Sequence, residues 1–396
     1  MLEHHADVVI IGGGITGCAT AYHLAREGAD VLLLDAHDLN TEGSGRNAGS
    51  LHGQIQHPSF RQFGPQWARD FIPALRILED SLAIWDSLSD ELGVDLEVSR
   101  KGGLLIGETE EQLEQIAQKV AIENEAGFPS RMLDRRELQD IAPWVAPDMA
   151  GAALMPSEGK ANPLRAAPAF ARAARRHGAR FMLGTRVERV DRCDQGYRVV
   201  TAGATVASRS LVLAAGDGLP AVSRGLEIEL PVISEPVQVS VTEPVAPLIK
   251  HLVYYAGDKL TLKQAASGSL LIGGGWPARQ DAQGRWVVDP QSLRSNHRVA
   301  WRVAPVIGAA QIIRSWAGIG DATPDLLPLL GGVPGLPDLV IGMYPHMGFT
   351  AGPLMGRILA DLVIGSAIDR DLAPFAPDRF GAHGGSEHGS SVAGAD

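Results

Sequence analysis

The chain has 396 residues, 45% hydrophobic and 20% charged, an ordinary composition for a globular protein of about two domains with a substantial core. Its formal net charge of −11 argues against nucleic acid or an anionic membrane surface as a partner, since both favour a basic face. No apolar run is long enough to cross a bilayer, no basic segment precedes the first apolar strand, and two cysteines build neither a disulfide framework nor a metal cluster; a reducing cytoplasm and no metal are expected.

Asp7-Val8-Val9-Ile10-Ile11 reads as a buried strand of a parallel sheet, and Cys18 to Gly28 as a helix stopped by glycine, with Cys18 as a packing residue. Between them Gly12, Gly14 and Gly17 stand in G-x-G-x-x-G spacing. The first allows a tight turn, the second lets a pyrophosphate approach the backbone, and the third lets helix and strand pack closely. Ile15 and Thr16 then offer N–H groups at the positive end of the helix. A second strand, Val31 to Leu34, ends in Asp35 and Ala36, where an acidic side chain can accept hydrogen bonds from a ribose hydroxyl. Strand, glycines, helix, strand and acid in register predict an adenine dinucleotide site.

From Gly43 to Gln56 no strand or amphipathic helix reads through a run of small and polar residues. Its position directly after the dinucleotide unit predicts that Ser44, Gly45, Arg46, Asn47, Ala48, Gly49 and Ser50 wrap a ligand with backbone N–H groups. The glycine fingerprint followed by Ser-Gly-Arg-Asn-Ala-Gly-Ser-Leu-His at 44–52 resembles the FAD-dependent D-amino-acid oxidase superfamily. The branch resembled holds glycine oxidase, sarcosine oxidase and amino-acid dehydrogenase β subunits. The resemblance implies that Ser44 to Leu51 pass along the flavin.

Farther on, Phe71, Leu75, Leu78, Leu82 and Trp85 recur at helical spacing within Pro65 to Leu92 and read as a packing helix. Glu110 to Ala126 reads as a charged amphipathic helix, and Asp134 to Glu137 as a solvated helix start. Asn162 is an N-cap with Pro163 in the first helical position. Strands follow at 179–183 and 185–190, and the resemblance nominates the Val187 main chain for adenine. A hairpin through Gly196 leads to the buried run Ser210 to Gly216, in which Ala215 and Gly216 match the family's second dinucleotide-contacting strand. Between Pro231 and Gly275, alternating strands and a Ser267-Gly268 turn predict an antiparallel sheet. Gly348, Phe349 and Thr350 open a helix over 354–364 whose positive end can face the flavin pyrimidine.

The expected fold is therefore α/β: a Rossmann-like FAD-binding domain with an inserted, mostly antiparallel β-sheet substrate domain. The expected division assigns 1–90, 150–225 and 311–375 to the first and 91–149 and 226–310 to the second, with a disordered tail over 376–396.

The resemblance implies oxidation of a C–N bond in an amino acid or secondary amine, by hydride transfer to flavin, leaving an imine that hydrolyses. Arginines that clamp a substrate carboxylate in glycine oxidase-like sequences would fall at Ile319-Gly320-Asp321 and in Tyr344-Pro345-His346-Met347, and both are missing. Arg46, Tyr254 and Tyr255 are the substitute candidates, with Lys263 and Gln264 as poorer ones. The flavin-tethering cysteine of monomeric sarcosine oxidases would fall near Gly318, so non-covalent FAD is expected. The lysine those oxidases place above the flavin would fall near Leu271, and its absence tilts the reading toward a dehydrogenase. His52 and His346 read either as packing residues or as acid–base groups beside the flavin. Two rival readings stay open. One is an FAD-dependent 2-hydroxy-acid dehydrogenase. The other is a flavin-bearing β subunit active only in a hetero-oligomer. On any of these readings the electron acceptor stays open among oxygen, a quinone and a partner subunit.

Overall fold

The computed structural model describes residues 2–381. Strand β1 (Leu2–Ile11) is longer than its apolar part, and Val8 to Ile11 are buried because strands pair with it on both sides. Helix α1 (Ile15–Arg26) starts three residues earlier than Cys18 and ends at Arg26, while Gly28 turns the chain with φ +87°. Strand β2 (Val31–Leu34) is buried at every position. The segment read as irregular contains a one-turn helix, α2 (Gly43–Arg46), and a two-residue strand, β3 (Ser50–Leu51). Asn47 organises it by donating to the Ser44 carbonyl at 2.6 Å and accepting from the Gly49 N–H at 2.7 Å.

The predicted helix from Pro65 is two: α3 (His57–Asp70), broken at Gly64 with φ +83°, and α4 (Ile72–Leu92). Proline removes the donor that would carry α3 unbroken past Gly64, and α4 buries Leu75, Leu78, Leu82 and Trp85 as its spacing requires. Then come β4 (Gly103–Gly107), α5 (Glu110–Glu125), β5 (Arg131–Asp134) and α6 (Arg135–Ile141), the last started by a reciprocal Asp134–Glu137 capping box. Strands β6 (Gly151–Met155) and β7 (Gly159–Lys160) precede α7 (Pro163–Arg176), whose Leu164 N–H is capped by Asn162 at 3.0 Å. Strands β8 (Arg180–Met182), β9 (Val187–Cys193), β10 (Gly196–Thr201) and β11 (Ala204–Leu213) follow, then the short α8 (Leu219–Ser223).

Next are β12 (Ile233–Pro244), β13 (Leu252–Tyr255), β14 (Thr261–Gln264), β15 (Ser269–Gly273) and the small hairpin β16 (Arg279–Gln280) with β17 (Trp286–Val287). The chain ends its regular structure with α9 (Pro290–Val303), β18 (Ile312–Ala322), β19 (Leu329–Val333), β20 (Leu336–Met343) and α10 (Gly348–Ile364).

One sheet runs β19-β20-β11-β1-β2-β8, parallel from β20 to β8, with the β9–β10 hairpin attached to β11. Helices α1, α7, α10 and α4 share a single apolar core with this sheet. The second sheet runs β18-β12-β15-β14-β13-β4-β6-β5 and is antiparallel except where β13 lies parallel to β4. It matches the expected α/β class, with two strands on the other side of the expected division. Strand β6, within 150–225, and β18, within 311–375, are both hydrogen-bonded into the second sheet, β18 to β12 from Ile233↔Ala322 to Thr242↔Ile312. The expected tail also begins too early: Pro377 is buried and Arg379 pairs with Asp325 at 2.9 Å, while 382–396 lie outside the described residues.

Candidate functional site

A cleft of about 700 Å³ opens at the C-terminal ends of β1, β2 and β11, where ligands settle in open parallel sheets, and continues to the face of the second sheet. Its floor is the glycine turn. Gly12 has φ +116°, and a Cβ there would stand 2.3 Å from the Ala214 carbonyl oxygen; a Cβ on Gly17 would stand 1.9 Å from the Gly12 carbonyl oxygen. Neither position admits a side chain, so the turn can close only with glycine. Asp35 accepts from the Gly13 N–H at 2.5 Å and from the His37 N–H at 2.7 Å. It therefore shapes the turn, and its oxygens keep further accepting capacity for a ribose.

Of the residues nominated from sequence, Gly12, Gly14, Ile15, Thr16, Asp35, Ala36, Ser44, Arg46, Asn47, Ala48 and Ser50 line the cleft. So do Val187, Ala215, Gly216, Gly348 and Phe349, together with His52, Tyr254, Tyr255 and His346. Gly17, Gly45, Gly49, Leu51 and Thr350 stand behind its wall. Gly45 packs on the Asn40 carbonyl, Gly49 on the Ala161 carbonyl, and fully buried Thr350 accepts the His52 N–H at 2.9 Å. Ser44 has a role its sequence position did not announce: its Oγ accepts the Ile15 N–H at 2.9 Å and so occupies one of the free donors at the start of α1.

These features fit an adenine dinucleotide bearing a flavin. A side-chain-free turn meets a helix N-terminus, an acid ends β2, and the cleft is continuous from there to the start of α10. Neither cysteine lines it; Cys18 is buried, with its Sγ 3.4 Å from the Gly13 carbonyl.

At the far end of the cleft, His52 Nδ1 and the Tyr254 hydroxyl are 2.7 Å apart, and that hydroxyl donates to Glu158 Oε1 at 2.9 Å. Enclosure lowers the His52 pKa to about 3, with a smaller contribution from Lys263 when it is charged, so the imidazole is neutral at physiological pH. Tyr255, next along the strand, points the other way, and its hydroxyl bonds Glu108 beside Arg302. The alternation of a strand separates the two tyrosines. The Arg46 guanidinium is already bonded to the Thr41 carbonyl at 2.6 Å and to Glu42 at 3.2 Å, which leaves no bidentate face for a substrate carboxylate.

The two places where arginines are missing come together, since the His346 N–H donates to the Asp321 carbonyl at 2.9 Å. His346 Nε2 lies 3.7 Å from the Glu235 carboxylate. Burial and the neighbouring Asp217 raise the Asp321 carboxyl to a pKa of about 7. Leu271, where the oxidase lysine would fall, sits directly across from Lys263 in the β14–β15 pairing. Lys263 is buried, donates to Ser50 Oγ at 2.7 Å, and has its pKa lowered to about 7 by burial and by Lys160.

Four residues in or behind this wall carried no sequence signal: Gln54, which lines it, and Lys119, Glu123 and Glu158 behind it. All are buried. Among the described residues no group of His, Cys, Asp or Glu side chains is placed to hold a metal ion, and no helix is long and apolar enough to cross a membrane.

The chain is 29% identical to a glycine oxidase of Geobacillus kaustophilus over 96% of its own length and 98% of the relative's. The crystal structure of glycine oxidase from that organism superposes with a TM-score of 0.83, covering 95% of this chain and 99% of the other at 26% identity. One of the subunits of an opine oxidase from Rhizobium meliloti is 25% identical over 96% of this chain and 99% of its own. The model of the family described as DAO, FAD dependent oxidoreductase, matches residues 7–362, and the chain belongs to that family.

Proposed function

We propose that this FAD-dependent oxidoreductase oxidises a C–N bond in an amino acid or a secondary amine, and that the nominated cleft residues hold its cofactor and substrate. The observation that carries the reading is the neutral His52–Tyr254 pair at the enclosed end of a dinucleotide cleft. The full-length likeness to a glycine oxidase supports it. Bound flavin supplies a hydride acceptor for a carbon bearing nitrogen. The chain's own part is to orient that carbon, exclude water and leave the amine neutral.

His52 is positioned for this work by its N–H to Thr350 and its ring to Tyr254. Glu235 and Asp321 occupy the end where an arginine clamp would stand, so the substrate's carboxylate, where it has one, is held by uncharged donors of the cleft. A second reading is that the chain is one member of a hetero-oligomer, supported by its full-length similarity to the opine oxidase subunit.

The test is anaerobic flavin reduction. Purified protein is expected to be yellow and to lose its visible absorbance on addition of a secondary amine or amino acid. Bleaching by 2-hydroxy acids with none by any amine would overturn the reading. Bleaching that begins only when a second subunit is supplied would move it to the hetero-oligomer reading.

A further inference from the structure

Behind the cleft wall lies a continuous chain of buried polar groups that no step above uses. Glu158 is fully buried. Its Oε1 accepts from the Tyr254 hydroxyl at 2.9 Å and the Gly53 N–H at 2.8 Å, and its Oε2 accepts from Gln54 Nε2 at 2.6 Å. Gln54 Oε1 in turn accepts from Lys119 at 3.0 Å, and Lys119 pairs with Glu123 at 2.6 Å. The fold makes room for the carboxylate by leaving Gly103 without a side chain: a Cβ there would stand 1.7 Å from Glu158 Oε2. At the other end, His52 lines the cleft and its Nε2 makes no hydrogen bond among the described residues.

We propose that Glu158, acting through Tyr254 and His52, receives the proton that a substrate ammonium must lose before its C–N bond is oxidised. This deepens the amine reading above and rests on it. With Glu158 ionised, the Tyr254 hydroxyl donates to it, His52 Nδ1–H donates to the Tyr254 oxygen, and the Nε2 lone pair faces the cleft. The ammonium proton passes to Nε2, the Nδ1 proton passes to the Tyr254 oxygen, and the phenolic proton passes to Glu158 Oε1. Three bonds to hydrogen break and three form. The amine becomes neutral, Glu158 becomes a carboxylic acid, and His52 changes tautomer without becoming a cation.

That last point is what the surroundings require. Enclosure, Lys263 and His346 all oppose an imidazolium at position 52, so His52 alone is a poor base. Burial raises the Glu158 carboxyl to a pKa of about 7, against the lowering effects of Gly53, Gln54, Tyr254 and Lys119. Such a group is ionised above neutrality and protonated below it. The titratable groups facing the relay are Lys119 and Glu123 from α5, Lys263 from β14, and His346 from the loop before α10, whose own pKa burial lowers.

The test uses the holoenzyme with ¹⁵N-labelled histidine and no substrate. The expected result is that His52 shifts from the Nε2–H to the Nδ1–H tautomer as pH rises through about 7, with no imidazolium signal. That shift should vanish in Glu158→Gln and in Tyr254→Phe, the latter removing one oxygen and keeping the ring. In anaerobic reduction by an amine, the wild-type rate should fall about tenfold per pH unit below neutrality. Both variants should lose that dependence and be about a hundredfold slower at pH 8, with substrate affinity within about twofold. A His52 tautomer that does not respond to pH, an imidazolium near pH 6, or an unchanged pH profile in Tyr254→Phe would overturn the relay. Failure of every amine to bleach the flavin would count against the amine reading instead, since the tautomer readout needs no substrate.

Discussion

Gly17 and Gly14 belong to the same fingerprint and do different physical work. A methyl on Gly17 meets the Gly12 carbonyl at 1.9 Å, a backbone atom that cannot move without opening the turn. A methyl on Gly14 meets only the Ser44 hydroxyl, at 2.9 Å, which can rotate away at the cost of its bond from the Ile15 N–H. Gly17→Ala is therefore expected to lower stability by about 3 kcal/mol and to yield protein largely free of flavin. Gly14→Ala should cost only about 1 kcal/mol of stability and still lose flavin, since Gly14 lines the cleft at the turn where a pyrophosphate must approach the backbone. Visible absorbance per protein and the unfolding midpoint check both; equal unfolding midpoints in the two variants would refute the distinction. These glycines were legible because their spacing lies within one β-turn-α unit, where sequence separation and spatial separation are the same thing. Glu158 was not legible. It lies in Met155-Pro156-Ser157-Glu158-Gly159, a run with no motif or periodicity, and it is the fold, with β7 paired to β3 just after it, that places the carboxylate inside.

Helix α5 shows the same limit at the level of an element. Its existence and ends follow from the Thr109 cap and the apolar spacing. Which charged face it buries does not, because Lys119 and Glu123 at i and i+4 look like any exposed helical pair. Both are fully buried, and Glu123 Oε1 also accepts the Ile55 N–H at 2.8 Å, tying α5 to the loop after β3. The other carboxylate oxygen of Glu123 has no partner among the described residues. Lys119→Met would leave that carboxylate buried and uncompensated, a change worth about 3–5 kcal/mol. Adding Glu123→Gln should recover part of the loss, since the charge goes with its partner. Chemical unfolding of the wild type, the single variants and the double variant measures the coupling. A single-variant loss below about 1 kcal/mol would mean that water reaches the pair.

At the scale of the whole molecule, the β3 segment meets the second sheet along the cleft through polar contacts: His52 with Tyr254, and Ser50 with Lys263. The layering was readable from the switch between helix-bounded and alternating strands, but the membership of β6 and β18 was not, since it depends on which distant strand each one meets. The Ser50–Lys263 contact makes that meeting sensitive to pH. Lys263 has a pKa of about 7 in the folded protein against 10.5 for an unperturbed lysine, because burial and the Lys160 ammonium disfavour its charge. Between those values the unfolded chain binds a proton that the folded one does not, so stability rises with pH across the window and falls as pH drops from its top to its bottom. The slope is about 1.4 kcal/mol per pH unit, so about 4 kcal/mol is lost between roughly pH 10 and pH 7. Below the folded pKa both states carry the charge and the contribution stays flat. Lys263→Met has no such slope. Its stability relative to wild type should therefore improve by about 4 kcal/mol from pH 10 to pH 7 and then level off, as read from paired unfolding curves at each pH. A constant difference between the two proteins over that range would mean that Lys263 keeps its charge in the fold and that β14 and β3 are joined by an ammonium, not an amine.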